Sequence, residues 1–211
     1  MAVRSKPELI QEIERLRAEL VATVRALSNA VEARDAYTGK HAERVTAYGM
    51  EIARAMELPL TNTSEIEFGF LLHDIGKVAI PDAILYKPSS LTETERAQMA
   101  RHPLIGAEIV DGIEFLSAAA QIVRSHHERW DGLGYPDGLK GEEIPVAARA
   151  FAVADVLDAL TSDRPYRPAS PFVAAREMIV AESGTQFDPR VVEAYDSIPD
   201  EVFEQIRARI G

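Results

Sequence analysis

Apolar residues recur at three- and four-residue steps through most of this chain, and strict alternation is confined to short runs such as 78–80. That pattern restricts the fold to helices that each bury one face. The longest stripe comes first. Ser5 and Glu8 have the spacing of a capping box, and Leu9, Ile13, Leu16, Leu20, Val24, Leu27 and Val31 then follow one another along a single helix. Two successive four-residue steps, Leu16 to Leu20 and Leu20 to Val24, break a strict heptad with a stutter. Such a helix either caps its own domain or pairs with its copy, and the stripe leaves both open. Further helices are predicted over 39–56, 64–72, 93–111, 117–127, 145–161 and 171–182. Between the fourth and fifth of these, Gly132, Gly134, Pro136, Gly138 and Gly141 crowd into 131–141, which no helix interior tolerates. An all-α bundle with one glycine-rich loop is expected.

A chain of 211 residues can form one domain with its own core plus an appendage. It has no stretch of about 18 uninterrupted apolar residues and no apolar secretory leader, so a soluble, cytoplasmic protein without membrane insertion is expected. The formal charge of −11 argues against broad binding to long nucleic acid, which needs a basic face. A compact anionic substrate remains compatible with it, because cations and metal ions inside a cleft dominate over distant surface carboxylates. There is no cysteine, so any metal must be held by nitrogen and oxygen.

The five histidines, His41, His73, His102, His126 and His127, fall in the middle of the sequence beside carboxylates. Each alone is more readily a surface or satisfied core residue than a ligand, but the set points to metal. His73–Asp74 and His126–His127 are adjacent pairs. Neighbours on a helix point about 100° apart, too far to face one ion, so the pairs suit two neighbouring ions. A carboxylate such as Asp74 can bridge ions about 3.5–4 Å apart, whereas an imidazole takes only one.

These residues belong to longer patterns. HDIGK at 73–77 and HHERWDGLGYPDGL at 126–139 resemble the two signatures of the HD-GYP family. The likeness extends through RDAYTGKHAERV at 34–45, HPLIGAEI at 102–109, IPVAARAFAVADVLDALTSDRPYR at 144–167 and GTQFDP at 184–189. A His-Asp pair alone is shared by all HD-type phosphohydrolases; the second signature following it in order makes the match specific. The resemblance implies an all-α HD-domain helical bundle over 27–211, with 1–26 as a preceding helix.

It also implies a first metal on His41, His73, Asp74 and Asp155 and a second on Asp74, His102, His126 and His127, with Asp74 bridging. Iron or manganese suits this mixture of imidazole and carboxylate, and zinc is a further option. Asp155 stands among Phe151, Ala152, Val153, Ala154, Val156 and Leu157. An unpaired carboxylate in apolar company is costly, and a metal removes that cost. Asp158, one turn later, reads equally as an outer acceptor for a bound histidine or as a solvated residue. Lys77 is expected to clamp phosphate, against the plainer reading of a solvated lysine near a helix end. Gly134, Tyr135 and Pro136 follow the ligand pair in the loop, where the tyrosine could stack on a guanine base. Arg164 and Arg167 match family positions that contact the dinucleotide, a role suited to a planar fork of donors.

The implied reaction is hydrolysis of cyclic di-GMP to linear pGpG, with further cleavage to GMP open, by water activated between two Lewis acids. Two other readings stand beside it: an HD phosphohydrolase for another nucleotide, such as a hybrid cyclic dinucleotide, and a non-catalytic module that binds nucleotide or protein. The full ligand set argues against the last. A homodimer through the first helix and an upstream sensory or receiver domain are further expectations. One departure bears on metal count. Some family members carry a glutamate four residues before the first histidine and resemble three-metal enzymes; here that position is Tyr37, a neutral phenol at pH 7. Glu32 and Asp35 lack that spacing and read as structural. Two ions, and pGpG as the main product, are therefore expected.

Overall fold

The first stripe becomes one helix, α1 (Lys6–Glu32), in a computed structural model that describes residues 5–34, 40–58, 63–163 and 167–211. Glu8 closes its start, accepting from the Ser5 backbone N–H at 2.6 Å and from Ser5 Oγ at 2.8 Å. The chain continues as α2 (His41–Ala55), α3 (Thr63–Leu71), α4 (Asp82–Leu85), α5 (Glu93–Met99), α6 (His102–Asp111) and α7 (Ser117–Ser125). After the glycine-rich loop come α8 (Val146–Thr161), α9 (Phe172–Ala181), α10 (Pro189–Asp196) and α11 (Asp200–Ile210). The described residues contain no strand; an isolated bridge joins Ser183 and Phe187. None of their helices is long and apolar enough to cross a membrane.

Four local readings need correction. The helix predicted over 93–111 is two, because Pro103 at the second position of α6 offers no N–H to a preceding turn. The alternation at 78–80 falls in and after a 3₁₀ turn at Ile75–Ala79, since three residues are too few to fix a period. The pairs His73–Asp74 and His126–His127 lie in turns just beyond α3 and α7 rather than within helices, so backbone turns, not helical geometry, set their directions. Finally, α10 and α11 were not predicted, although Val191, Tyr195 and Phe203 on them are fully buried. Their apolar stripes are short and separated by Pro199.

Two apolar clusters support the molecule. One joins Tyr48 and Ile52 of α2, Phe151 and Leu157 of α8, Ile179 of α9, Tyr195 of α10 and Phe203 of α11. The other joins Val24 of α1, Phe68 and Leu71 of α3, Val110 of α6 and Val123 of α7. α1 docks only through its second half. Val24 and Ser28 are buried, while Leu9, Ile13 and Leu16 remain 47%, 51% and 51% exposed. The helix runs unbroken through the expected boundary at 26 and ends at Glu32, whose Oε1 accepts from the Ala42 amide at 2.6 Å in the first turn of α2.

Candidate metal centre

The candidate ligands gather where helices begin or end: His41 starts α2, His102 starts α6, and the two histidine-bearing turns follow α3 and α7. Asp155 projects from the middle of α8. This convergence demands close backbone packing at one point. A Cβ on Gly76 would lie 1.9 Å from the His102 carbonyl oxygen and 2.6 Å from the Gly106 amide nitrogen. Glycine in HDIGK thus lets the 3₁₀ turn press against α6, bringing Asp74 to His102.

Three of the rings are aimed by the same device. The Nδ1 atoms of His73, His102 and His126 lie 2.9, 2.8 and 2.7 Å from the carbonyls of Phe70, Met99 and Val123, each three residues earlier. A carbonyl only accepts, so each Nδ1 carries a proton, and in the neutral form that binds metal the ring presents a bare Nε2 toward the centre. His102 Nε2 and His126 Nε2 then stand 3.2 Å apart. Two lone pairs so close are repulsive unless a cation lies near both. The two oxygens of Asp74 divide between two groups: Oδ2 is 3.1 Å from His73 Nε2, and Oδ1 is 3.2 and 3.9 Å from the Nε2 atoms of His102 and His126. Ligand atoms of Asp74, His102, His126 and His127 all lie within 4.8 Å of one another, as do those of His41, His73 and Asp74. Inward-facing acceptors of this kind fit cation binding at two points.

Asp155 corrects the expectation of an apolar setting. Its neighbours in sequence are on other faces of α8; its side chain is 27% exposed, with Oδ1 3.4 Å from His41 Nε2. Asp158 is the buried one. It accepts from His41 Nδ1 at 2.8 Å and from Arg44 Nε and Nη2 at 2.6 and 3.1 Å, a charged support for the ring where His73, His102 and His126 draw theirs from the backbone. Phe151 lies beneath, its ring 4.7 Å from that of His73 and 5.7 Å from that of His126.

Electrostatics follow the same division. Burial, with His127 and His73 close by, holds the His126 pKa well below the usual histidine range, and burial brings that of His127 to about 4. Both rings are therefore neutral at pH 7, the form that binds metal. Burial opposes protonation of His41 too, but the Asp158 hydrogen bond and the charges of Asp155 and Asp158 outweigh it and raise its pKa. Burial likewise works against ionised Asp74, yet His73, Lys77 and His102 keep its pKa well below the carboxylate norm.

Lys77 Nζ rests on Asp74 Oδ2 at 2.7 Å. Tyr135 places its ring over His127, centroids 4.7 Å apart and 32° between planes, with Gly134 and Pro136 on either side of it. Arg167 Nη2 donates to the Ala159 carbonyl at 2.7 Å, which ties one arm of its fork to α8. Arg164 and Tyr37 lie outside the described residues. The sequence reading missed Arg44 and Glu128. Arg44 is one turn from His41, so its spacing was a usable signal; the buried Glu128 binds, among the described residues, backbone amides, which leave no trace in side-chain patterns.

Residues 25–191 match the family model described as the HD domain, and the chain belongs to that family, in its HD-GYP branch. It is 47% identical over 174 residues to the cyclic di-GMP phosphodiesterase response regulator RpfG of Xanthomonas campestris pv. campestris, covering 82% of this chain and 46% of that protein. It is 41% identical over 186 residues to the 3'3'-cGAMP-specific phosphodiesterase 2 of Vibrio cholerae serotype O1, covering 87% of this chain and 35% of that one. The chain thus spans less than half the length of these relatives. A crystal structure of a cyclic GMP-AMP specific phosphodiesterase of V. cholerae superposes with a TM-score of 0.62 at 22% identity, over 90% of this chain and 52% of that one, a likeness of fold.

Proposed function

We propose that this chain hydrolyses cyclic di-GMP at a centre for two divalent ions, one on His41, His73, Asp74 and Asp155 and one on Asp74, His102, His126 and His127. The observation that carries the reading is the division of Asp74, whose two oxygens face different imidazole sets at 3.1 and 3.2 Å. A bridging carboxylate needs that arrangement. Two relatives named for hydrolysis of cyclic dinucleotides support the reaction class. Iron or manganese suits the donor set, with zinc as a further option, and Tyr37 in place of a glutamate favours two ions over three.

When bound, the ions would supply Lewis acidity that brings the pKa of water toward about 7 and spreads charge from the phosphate oxygens. The chain's own groups do the rest. The backbone-anchored rings and the Asp158-held His41 keep the ligands fixed, so little reorganisation accompanies reaction. Lys77, held at Asp74, is the cation beside the centre that would donate to a non-bridging phosphate oxygen. Gly134, Tyr135 and Pro136 border the centre where a base would lie, and Arg164 and Arg167 contribute fork donors to the dinucleotide. One in-line hydrolysis opens one of the two diesters and leaves pGpG. A cytoplasmic homodimer joined through α1, with a sensory or receiver domain upstream, completes the reading; the response-regulator name of one longer relative supports the last part.

The test is turnover by anaerobically prepared protein of defined metal content, with cyclic di-GMP and 3'3'-cGAMP side by side. Faster turnover of cyclic di-GMP, giving pGpG, is expected. Preference for the hybrid dinucleotide would transfer the activity to the second reading, which a 41% identical relative favours. No turnover of either by fully loaded protein would overturn both.

A further inference from the structure

We infer that Glu128 is a positioning residue: its carboxylate clamps the 132–139 loop against His127 and so presents Tyr135 to a bound dinucleotide. The inference rests on the cyclic dinucleotide reading only for its substrate.

Glu128 is 4% exposed, and a carboxylate this far from water needs full satisfaction of its lone pairs. It finds that in the loop itself. Oε1 accepts from the amides of Asp137 and Gly138 at 2.7 and 3.1 Å, and Oε2 accepts from Leu139 at 3.1 Å. The loop is pinned again nearer its tip. The Tyr135 amide donates to the His127 carbonyl at 3.2 Å, and a Cβ on Gly134 would stand 2.4 Å from the Arg129 nitrogen and 2.5 Å from the Glu128 Cα. Glycine there lets the loop fold back onto the strip of backbone that carries both histidines. With both ends of the segment fixed, the Tyr135 ring has one place to rest, over His127.

Three N–H donors converge on one carboxylate, so charge-neutral Gln cannot replace it. Either way round, its NH₂ would face at least one of the amides, donor against donor. Aspartate keeps the charge but ends about 1.5 Å short, which removes reach. The clamp is therefore specific to glutamate, and its loss should move the loop without touching a metal ligand.

Three readouts on the metal-loaded protein test this: ion content by elemental analysis, kinetics with cyclic di-GMP, and the emission of Trp130. That residue is the chain's one tryptophan, joined to the same loop by its carbonyl, which accepts from the Gly141 amide at 3.0 Å. Glu128→Gln should keep its ions, shift Trp130 emission to the red, and raise KM about tenfold with kcat changed less than about threefold. Glu128→Asp should not restore KM. Should Glu128→Gln fail to fold, Gly134→Ala displaces the loop from its other anchor and should give the same pattern. Unchanged KM and emission would overturn the inference, as would rescue by aspartate or parallel loss of ions and kcat. If wild-type protein fails to cleave cyclic di-GMP, the substrate reading falls while emission and ion content still decide the clamp.

Discussion

The two halves of the centre share a backbone support for His73, His102 and His126 but differ at one ligand, His41. His102 and His126 lean on backbone carbonyls three residues earlier, and Phe151 and Tyr135 pack against the His126 and His127 rings. No side-chain substitution short of a ligand removes the carbonyl supports. His41 leans on a carboxylate, Asp158, which is itself held by Arg44. That support can be altered while every ligand stays. The His102 half should thus behave as an all-or-none site and the His41 half as a tunable one.

The residue common to both halves gives the largest expected effect. Asp74→Ala should lower hydrolysis more than about a thousandfold, the several kcal/mol that metal-assisted charge stabilisation contributes, and strip both ions while circular dichroism shows the helices intact. Wild-type-like turnover would refute the centre. Next come single ligands. His126→Ala and His41→Ala should each lower the ion count from two to one; loss of both ions from either would show that the halves do not fill independently.

The outer support comes third. Asp158→Asn should weaken the His41 ion about 10–100-fold and leave the His102 half filled. It should also lower unfolding stability by about 3 kcal/mol, because Arg44 stays buried with less of its charge matched. The double variant Asp158→Asn, Arg44→Met should regain most of that stability but none of the affinity. Recovery of both would mean that the pair only holds the fold. Metal titration and denaturant unfolding on the same samples separate the outcomes.

This contrast also explains what the sequence could reveal. The all-α architecture was legible because apolar stripes record which face is buried, and the histidine set because ligand side chains are the chemistry itself. The split of 93–111 was visible in Pro103 but overlooked. Other features were out of reach in principle. That His73 and His126 take the same i−3 carbonyl contact depends on turn geometry. That Asp155 faces the centre while Asp158 is buried depends on where the rest of the bundle lies around α8. Glycines showed a further limit: Gly76 read only as part of HDIGK and Gly134 as a loop residue near the substrate, yet each stands where another backbone leaves no room for a Cβ.

The smallest effect is expected at the far end of the tunable half. Ser28 Oγ donates to the Leu71 carbonyl at 2.6 Å, two residues before His73, and Glu32 caps the amide next to His41. The end of α1 thus braces the His41 half. Its start carries Leu9, Ile13 and Leu16 half exposed along one stripe, apolar surface of the kind that marks an interaction site. Pairing with a second copy would cover it. The double variant Ile13→Glu, Leu16→Glu should convert a dimer seen by light scattering at micromolar concentration into a monomer with the same helix content. It should keep both ions, with any loss of affinity, under about threefold, confined to the ion on His41, since α1 lies on that side and a surface helix transmits little through two hydrogen bonds. A monomeric wild-type mass would remove the dimer. Weakening of the His102 ion instead would show that the two halves share a support not seen in their hydrogen bonds.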